Sequence, residues 1–215
     1  MSLVVSDLEG TLTAGASWRG IRAYFQEFRS RWTYDRFLLG WLPRYLLVKV
    51  GLLNRKKAMD AWMQGEIKLL HGERRQAIKI MAEWVVVNQM WPKRRERVLA
   101  RLENHRRKGA QIVIVSGAYQ PIVEAFARRI GDVSAIGSKL IYEDGRLSGL
   151  AMPINSYQQK AENIRTLCDD APIIAAYGDT ISDLPMLEMS QHPIAVYPDD
   201  DLRRVAESKG WYILG

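Results

Sequence analysis

The sequence predicts an α/β fold, a parallel sheet flanked by helices, carrying an inserted module made of helices alone. Three observations lead there. Short, largely apolar runs at 3–6, 111–117 and 172–179 each stop abruptly on small or acidic residues: Asp7-Leu8-Glu9, Ser116-Gly117 and Gly178-Asp179. From about residue 93 onward such runs alternate with stretches of helical periodicity, the pattern of a parallel sheet covered on both faces. Between 14 and 92 no convincing strand appears, and Leu, Met, Trp and Arg recur there at helical spacing.

Each element has its own signal. Leu3-Val4-Val5 opens the chain as a short buried strand. In the strand-free segment the longest apolar stretch, Phe37 to Leu53, is 17 residues long and is broken by Pro43, Arg44 and Lys49. A membrane-spanning helix needs about 20 mostly apolar residues, so this stretch predicts a pair of helices bent at the proline. Arg36, Gly40 and Arg44 then share one helical face. Residues 93–108 read as a basic amphipathic helix stopped at Gly109. The strand 111–117 follows, then a helix over 119–130 ending at Gly131. Residues 138–150 alternate about Asp144-Gly145, a strong hairpin signal. A helix over 157–169 and the strand 172–179 come next. Helix 183–190, strand 193–197, helix 199–209 and strand 211–214 complete the chain.

Composition excludes several function classes. The chain has 215 residues, 47% hydrophobic and 26% charged, enough for a substantial core and unlike a disordered segment. Its single cysteine, Cys168, rules out an internal disulfide framework and a multi-thiolate zinc site. His71, His105 and His192 are scattered without metal-ligand spacing. No basic stretch followed by an apolar one opens the chain, so a cytoplasmic location is expected.

In open α/β sheets, ligands bind beyond the carboxyl ends of the strands. The three abrupt strand ends would therefore converge on one crevice holding carboxylates and a hydroxyl. Asp7 suits a nucleophile that forms a covalent intermediate. Asp7 and Asp179 make a hard oxygen site suited to Mg²⁺. Glu9, two residues on, could protonate a leaving oxygen and then deprotonate water. Ser116 and a nearby backbone N–H could hold phosphate oxygens, and Lys160 is placed by chain order to neutralise a transferring phosphoryl group. Taken singly each motif is weak, and Asp199-Asp200-Asp201 reads better as a helix cap than as a metal site.

Together, "DLEGTLT", "VIVSG", Lys160 and "GDTISDLPML" resemble the four motifs of the haloacid dehalogenase superfamily, and most closely its phosphoserine-phosphatase-like branch. The resemblance covers the chain from end to end, including the tail "AVYPDDDLRRVAESKGWYIL". It implies a Rossmann-like core over 1–13 and 93–215, with 14–92 as a helical cap that closes over the site and selects the substrate. It implies a phosphomonoester hydrolase in which Asp7 is the phosphoaspartyl nucleophile and Glu9 the acid/base. Ser116, Gly117 and Lys160 would bind phosphate. Asp7, Glu9, Asp179 and Asp183 would form the Mg²⁺ site. The substrate would be a phosphorylated small molecule or a lipid-like phosphate. A phosphotransferase, or a binding protein that keeps the crevice without turnover, are the alternative readings. Two departures stand out. The family usually has aspartate where this chain has Glu9. Nine residues past the nucleophile, where phosphoserine phosphatases carry a glutamate for the substrate's amino group, stands Ala16.

Charge is unevenly spread. Residues 14–92 hold 14 Lys and Arg against 6 Asp and Glu, while the remainder is close to balanced. The same segment contains Trp18, Trp32, Trp41, Trp62, Trp84 and Trp91. Basic and aromatic character together suit an anionic membrane surface, with a membrane-peripheral location, or a substrate with an apolar tail such as a lipid phosphate; a helical bundle with an apolar core and a solvated basic face accounts for them equally well. Nucleic acid is not expected as a partner, because no groove-reading or single-strand motif accompanies the charge.

Overall fold

The computed structural model describes residues 2–168 and 171–215; Asp169, the expected last residue of a helix, lies outside the described residues. Six parallel strands form the central sheet: β1 (Leu3–Ser6), β2 (Gln111–Tyr119), β3 (Ser134–Ser138), β6 (Ile173–Gly178), β7 (His192–Val196) and β8 (Tyr212–Leu214), in the order β3-β2-β1-β6-β7-β8. The first strand is central. Leu3 to Ser6 pair with Gln111 to Ile114 on one side, and Ser6 pairs with Tyr177 on the other. A separate antiparallel hairpin, β4 (Leu140–Glu143) and β5 (Arg146–Leu150), turns at Asp144-Gly145 as expected.

Both faces of the sheet are covered, which is why its strands are apolar without alternation. Leu3 and Val5 point into one cluster with Val113, Val115, Ile164, Met186 and Leu202. Val4 points to the opposite face, where Ile112, Ile114 and Tyr177 join a larger cluster. Helices α7 (Gln158–Cys168), α8 (Leu184–Leu187) and α9 (Asp200–Ser208) contribute to the first cluster; α5 (Glu96–Arg107) and α6 (Gln120–Ile130) contribute to the second.

Between β1 and α5 the described elements are helical: α1 (Ser17–Phe28), α2 (Arg31–Lys49), α3 (Arg55–Lys68) and α4 (Arg75–Val85), then a π turn and a 3₁₀ turn reaching Lys93. The chain leaves and returns at one place. Ala14 N–H donates to the Lys93 carbonyl at 3.0 Å and Arg95 N–H to the Leu12 carbonyl at 2.8 Å, so the two connections lie side by side. The helices do not hang free from that pair. Tyr34, Ile67, Leu70, Ile78 and Val85 share one buried cluster with Ile112, Ile122 and Phe126. The hairpin adds a second anchor: Gly72 N–H donates to the Leu147 carbonyl, and Leu147 N–H to the Glu73 carbonyl, both at 2.8 Å.

Several boundaries differ from the sequence expectation for physical reasons. Strand β3, "SAIGS", was not foreseen; it is a sheet edge built of small residues with no apolar run. Helix α5 starts at Glu96 and not at 93, because Arg94 and Arg95 are paired with the outgoing chain. The helix expected over 183–190 is reduced to α8, preceded by a 3₁₀ turn whose capping box occupies Thr180 and Asp183. The expected pair of helices bent at Pro43 is the single helix α2, with the proline inside it. The carbonyl that the proline leaves without a donor lies on an exposed stretch, where water can satisfy it.

Candidate active site

The chain crosses from one side of β1 to the other along this sheet, with β2 and β3 on one flank and β6 on the other. The carboxyl ends at that reversal are where α/β folds bind ligands. Asp7 follows β1 directly; its N–H donates to the Tyr177 carbonyl at 2.9 Å, which fixes the loop against β6. Ser116 and Gly117 lie near the end of β2, and Asp179 follows β6. Lys160, in the first turn of α7, reaches between two carboxylates. Its ammonium donates to Asp7 Oδ1 at 2.6 Å and to Asp183 Oδ1 at 2.5 Å, all three side chains being buried.

Asp183 is held by the 3₁₀ turn it closes. Its Oδ2 accepts the N–H groups of Asp179 and Thr180, each at 3.2 Å. Asp179 Oδ1 accepts the hydroxyl of Thr11 at 3.2 Å. Two glycines of the motifs are demanded by this closeness. Gly10 sits at φ +86°, and a Cβ there would stand 1.9 Å from Asp179 Oδ2. A Cβ on Gly178 would come within 2.6 Å of the Asp183 Cβ.

Among the described residues, one group of acids is close enough to share a cation: Asp7, Asp179 and Asp183, one carboxylate oxygen from each lying within 4.8 Å of the other two. Burial pushes the Asp7 carboxyl up to about 7, against the pull of Lys160 and with a further push from Asp183. Burial, followed by the charges of Asp7 and Asp183, pushes Asp179 up to about 8. Burial would lower Lys160, but the Asp183 and Asp7 carboxylates more than reverse it and hold the ammonium above its ordinary range. With all three acids ionised, one ammonium leaves an excess of negative charge, and hard oxygen donors of this kind fit a divalent cation such as Mg²⁺.

Glu9 stands apart from that group of acids, although it was expected among the metal ligands. Its Oε1 accepts the backbone N–H of Ser17, the first residue of α1, so the carboxylate sits on the amino end of a helix of the inserted segment. Burial nevertheless raises its pKa. The longer side chain explains the reach: glutamate has the extra methylene needed to meet α1 while its backbone stays in the Asp7 loop.

Asp7, Glu9, Ser116, Gly117, Lys160, Asp179 and Asp183 all line one cavity of about 240 Å³. The opposite wall comes from the helical segment: Trp18, Arg55, Met59, Trp62, Met63 and Glu66. Sequence reasoning brought the first set together and missed what supports it. Asn155 holds the β2 end in place, donating from Nδ2 to the carbonyls of Ser116 at 2.9 Å and Ile136 at 3.0 Å. Ser138 donates to the Gly117 carbonyl at 2.7 Å. The Ser156 hydroxyl, buried in the cavity lining, has no partner among the described residues. None of these lies in a recognisable motif; Thr11 did, within "DLEGTLT", but nothing in the string indicated its bond to Asp179.

The model of one family, the haloacid dehalogenase-like hydrolases, matches residues 4–188, which includes every residue of this site. The chain belongs to the haloacid dehalogenase-like hydrolases. A probable phosphatase of Mycobacterium tuberculosis is 37% identical over 114 residues, 51% of this chain and 40% of that protein. The chain thus matches about two fifths of the length of that relative. A phosphoserine phosphatase of the same organism is 28% identical over 222 residues, covering 96% of this chain and 68% of its own. A solved structure from Bordetella pertussis Tohama I, of unknown function, shares the fold with a TM-score of 0.82 at 20% identity, over 100% of this chain and 98% of its own. The phosphoserine phosphatase of T. onnurineus superposes with a TM-score of 0.60 at 21% identity, over 100% and 88% of the two chains.

Proposed function

We propose that this hydrolase is a Mg²⁺-dependent phosphomonoester phosphatase working through a phosphoaspartate on Asp7, with residues 14–92 as its cap. The observation that carries the reading is the buried triangle of Asp7, Lys160 and Asp183 beside Asp179, at the bottom of a cavity on the carboxyl ends of the sheet. Asp7 and Asp179 would hold the cation, with Asp183 supporting from the turn. Bound there, Mg²⁺ would supply charge neutralisation for the phosphoryl group.

The residues divide the work. One Asp7 oxygen is anchored by Lys160, which leaves the other to attack phosphorus and form the acyl phosphate as the ester oxygen departs. Lys160, with backbone N–H groups after Ser116 and the Ser156 hydroxyl, would hold the phosphoryl oxygens. Glu9, protonated, would donate to the leaving alkoxide. As a carboxylate it would then take a proton from the water that releases phosphate and restores Asp7.

The cap wall argues against phosphoserine and for a less polar substrate. Ala16 offers no carboxylate for an amino group. Both oxygens of Glu66 are already taken by the hydroxyls of Tyr34 and Tyr119. Trp18, Met59, Trp62 and Met63 present apolar surface, with Arg55 as the cation among them. A phosphate monoester with an apolar body, lipid-like or small, fits this wall.

The test is phosphate release from a panel holding nitrophenyl phosphate, alkyl monophosphates of increasing length and phosphoserine, with Mg²⁺ and with excess chelator. We expect chelation to abolish turnover reversibly, and the longer alkyl esters to exceed phosphoserine in kcat/KM. Full activity in chelator would overturn the metal assignment, and a preference for phosphoserine would overturn the substrate class.

A further inference from the structure

The second half of α2, the turn that follows and the start of α3 stand outside the packed body. In the first half of α2, Tyr34 is buried and Phe37 and Leu38 pack on the core. From Leu39 to Lys57 no side chain is buried. Leu39, Val50 and Leu52 are 66%, 67% and 72% exposed, and Leu42, Tyr45, Leu46, Leu47 and Leu53 are exposed beside them. Apolar residues all round a helix ordinarily mean that something covers it. Trp41 packs on Trp62 of α3, but among the described residues nothing covers the exposed leucines, Tyr45 and Val50, and a contiguous patch of this kind marks an interaction surface.

Charge decides what covers it. From Arg36 to Met59 the chain carries Arg36, Arg44, Lys49, Arg55, Lys56 and Lys57, and no acidic residue. We infer that the α2–α3 tip docks on the surface of an anionic lipid bilayer. Its leucines and Tyr45 enter the boundary between headgroups and acyl chains, while the long cationic side chains extend to the lipid phosphates. A second copy of the chain fits worse, because two tips face to face would bring six cations against six with no acid between them. The tip rests on the surface and does not cross: no helix among the described residues is long and apolar enough to span a membrane.

The place of the tip gives the docking a consequence. Arg55 and Met59, in the first turns of α3, are also part of the cavity wall above Asp7. Docking therefore brings that wall next to the lipid headgroups, where a phosphomonoester carried by a lipid is presented to the site. This consequence rests on the phosphatase reading; the docking itself does not.

The experiment is flotation of the full chain with vesicles of phosphatidylcholine alone or mixed with phosphatidylglycerol, at low and high salt. We expect binding to the anionic vesicles at low salt and its loss as salt rises. The double variant Leu46→Asp, Val50→Asp should bind at least about tenfold more weakly. Its melting temperature and its turnover of nitrophenyl phosphate should stay those of the wild type, since neither residue touches the site. Wild type that ignores anionic vesicles, or that floats equally with neutral ones at both salts, overturns the inference. A dimer in light scattering that the double variant splits also overturns it, by assigning the patch to a second copy. An inactive wild type that still floats sinks the phosphatase reading and leaves the docking standing.

Discussion

Asp7 and Glu9 are two residues apart and line one cavity, yet their hydrogen-bond partners differ. Asp7 belongs to a charged group shared with Lys160, Asp179 and Asp183; Glu9 belongs to the amino end of α1. If Glu9 is the acid/base, Glu9→Gln should slow hydrolysis of an alkyl phosphate by about 10²–10⁴ and that of a nitrophenyl ester far less, because nitrophenolate leaves without a proton. Equal losses on both esters would assign Glu9 a structural task alone. Asp179→Ala removes one of the three clustered acids, so it should raise the Mg²⁺ concentration needed for half-maximal rate. An unchanged Mg²⁺ titration would remove Asp179 from the site. At this scale the sequence was most legible where small and acidic residues end apolar runs, since strand ends in a parallel sheet must converge. Asn155, Ser138 and Ser156 were not, because each acts through a backbone carbonyl or an open cavity that no local pattern encodes.

At the scale of elements, the bond from Ser17 N–H to Glu9 links α1 to the chemistry. Ser17→Pro tests that link cleanly. Proline is well accepted at the first helical position, and Ala16 before it is already extended at φ −122°, ψ 135°. The variant should still fold, with its melting temperature lowered by the loss of donors to the buried Glu9 carboxyl, yet lose rate on alkyl phosphates more than on nitrophenyl phosphate, as Glu9→Gln does. A wild-type rate on both esters would show that Glu9 does not depend on α1 for its position. Among the elements, the strongly apolar strands β1, β2 and β6 and the Asp144-Gly145 hairpin could be read from the string. Strand β3 could not, since its small residues gain their place from pairing with β2. The true start of α5 was hidden too, because it is set by pairing between residues some 80 positions apart, Leu12 with Arg95.

Across the whole molecule, the helical segment and the sheet share one buried cluster, and a charge lies where they meet. Glu66, on α3, is buried and accepts the hydroxyls of Tyr34 and of Tyr119 at the end of β2. Burial pushes its carboxyl from 4.5 up to about 7. Between those values the folded chain keeps a proton that the unfolded chain has released, so stability falls as pH rises from about 4.5 to about 7. The loss is on the order of 3 kcal/mol for this group. Asp7, Glu9 and Asp179, also raised by burial, add slopes of the same sign, so Glu66→Gln should remove only its own share of the dependence and raise the melting temperature above that of the wild type at about pH 8, read by thermal denaturation across pH. An undiminished slope after the substitution would remove Glu66 from the pH dependence. The sequence made the helical segment and its surplus of positive charge plain. It did not reveal that α4 and the hairpin bind the segment to the core, because that contact joins surfaces with no shared motif.

Phosphorylation of Asp7 is read by trapping the protein during turnover. Acid quenching with nitrophenyl phosphate and Mg²⁺ present, followed by mass spectrometry, should show one added phosphoryl group on the peptide that contains Asp7. Hydroxylamine should remove it, and Asp7→Asn, with its fold intact, should neither carry it nor turn over. Steady turnover with no phosphoryl group on that peptide, or with the group on Asp7→Asn as well, would contradict the mechanism.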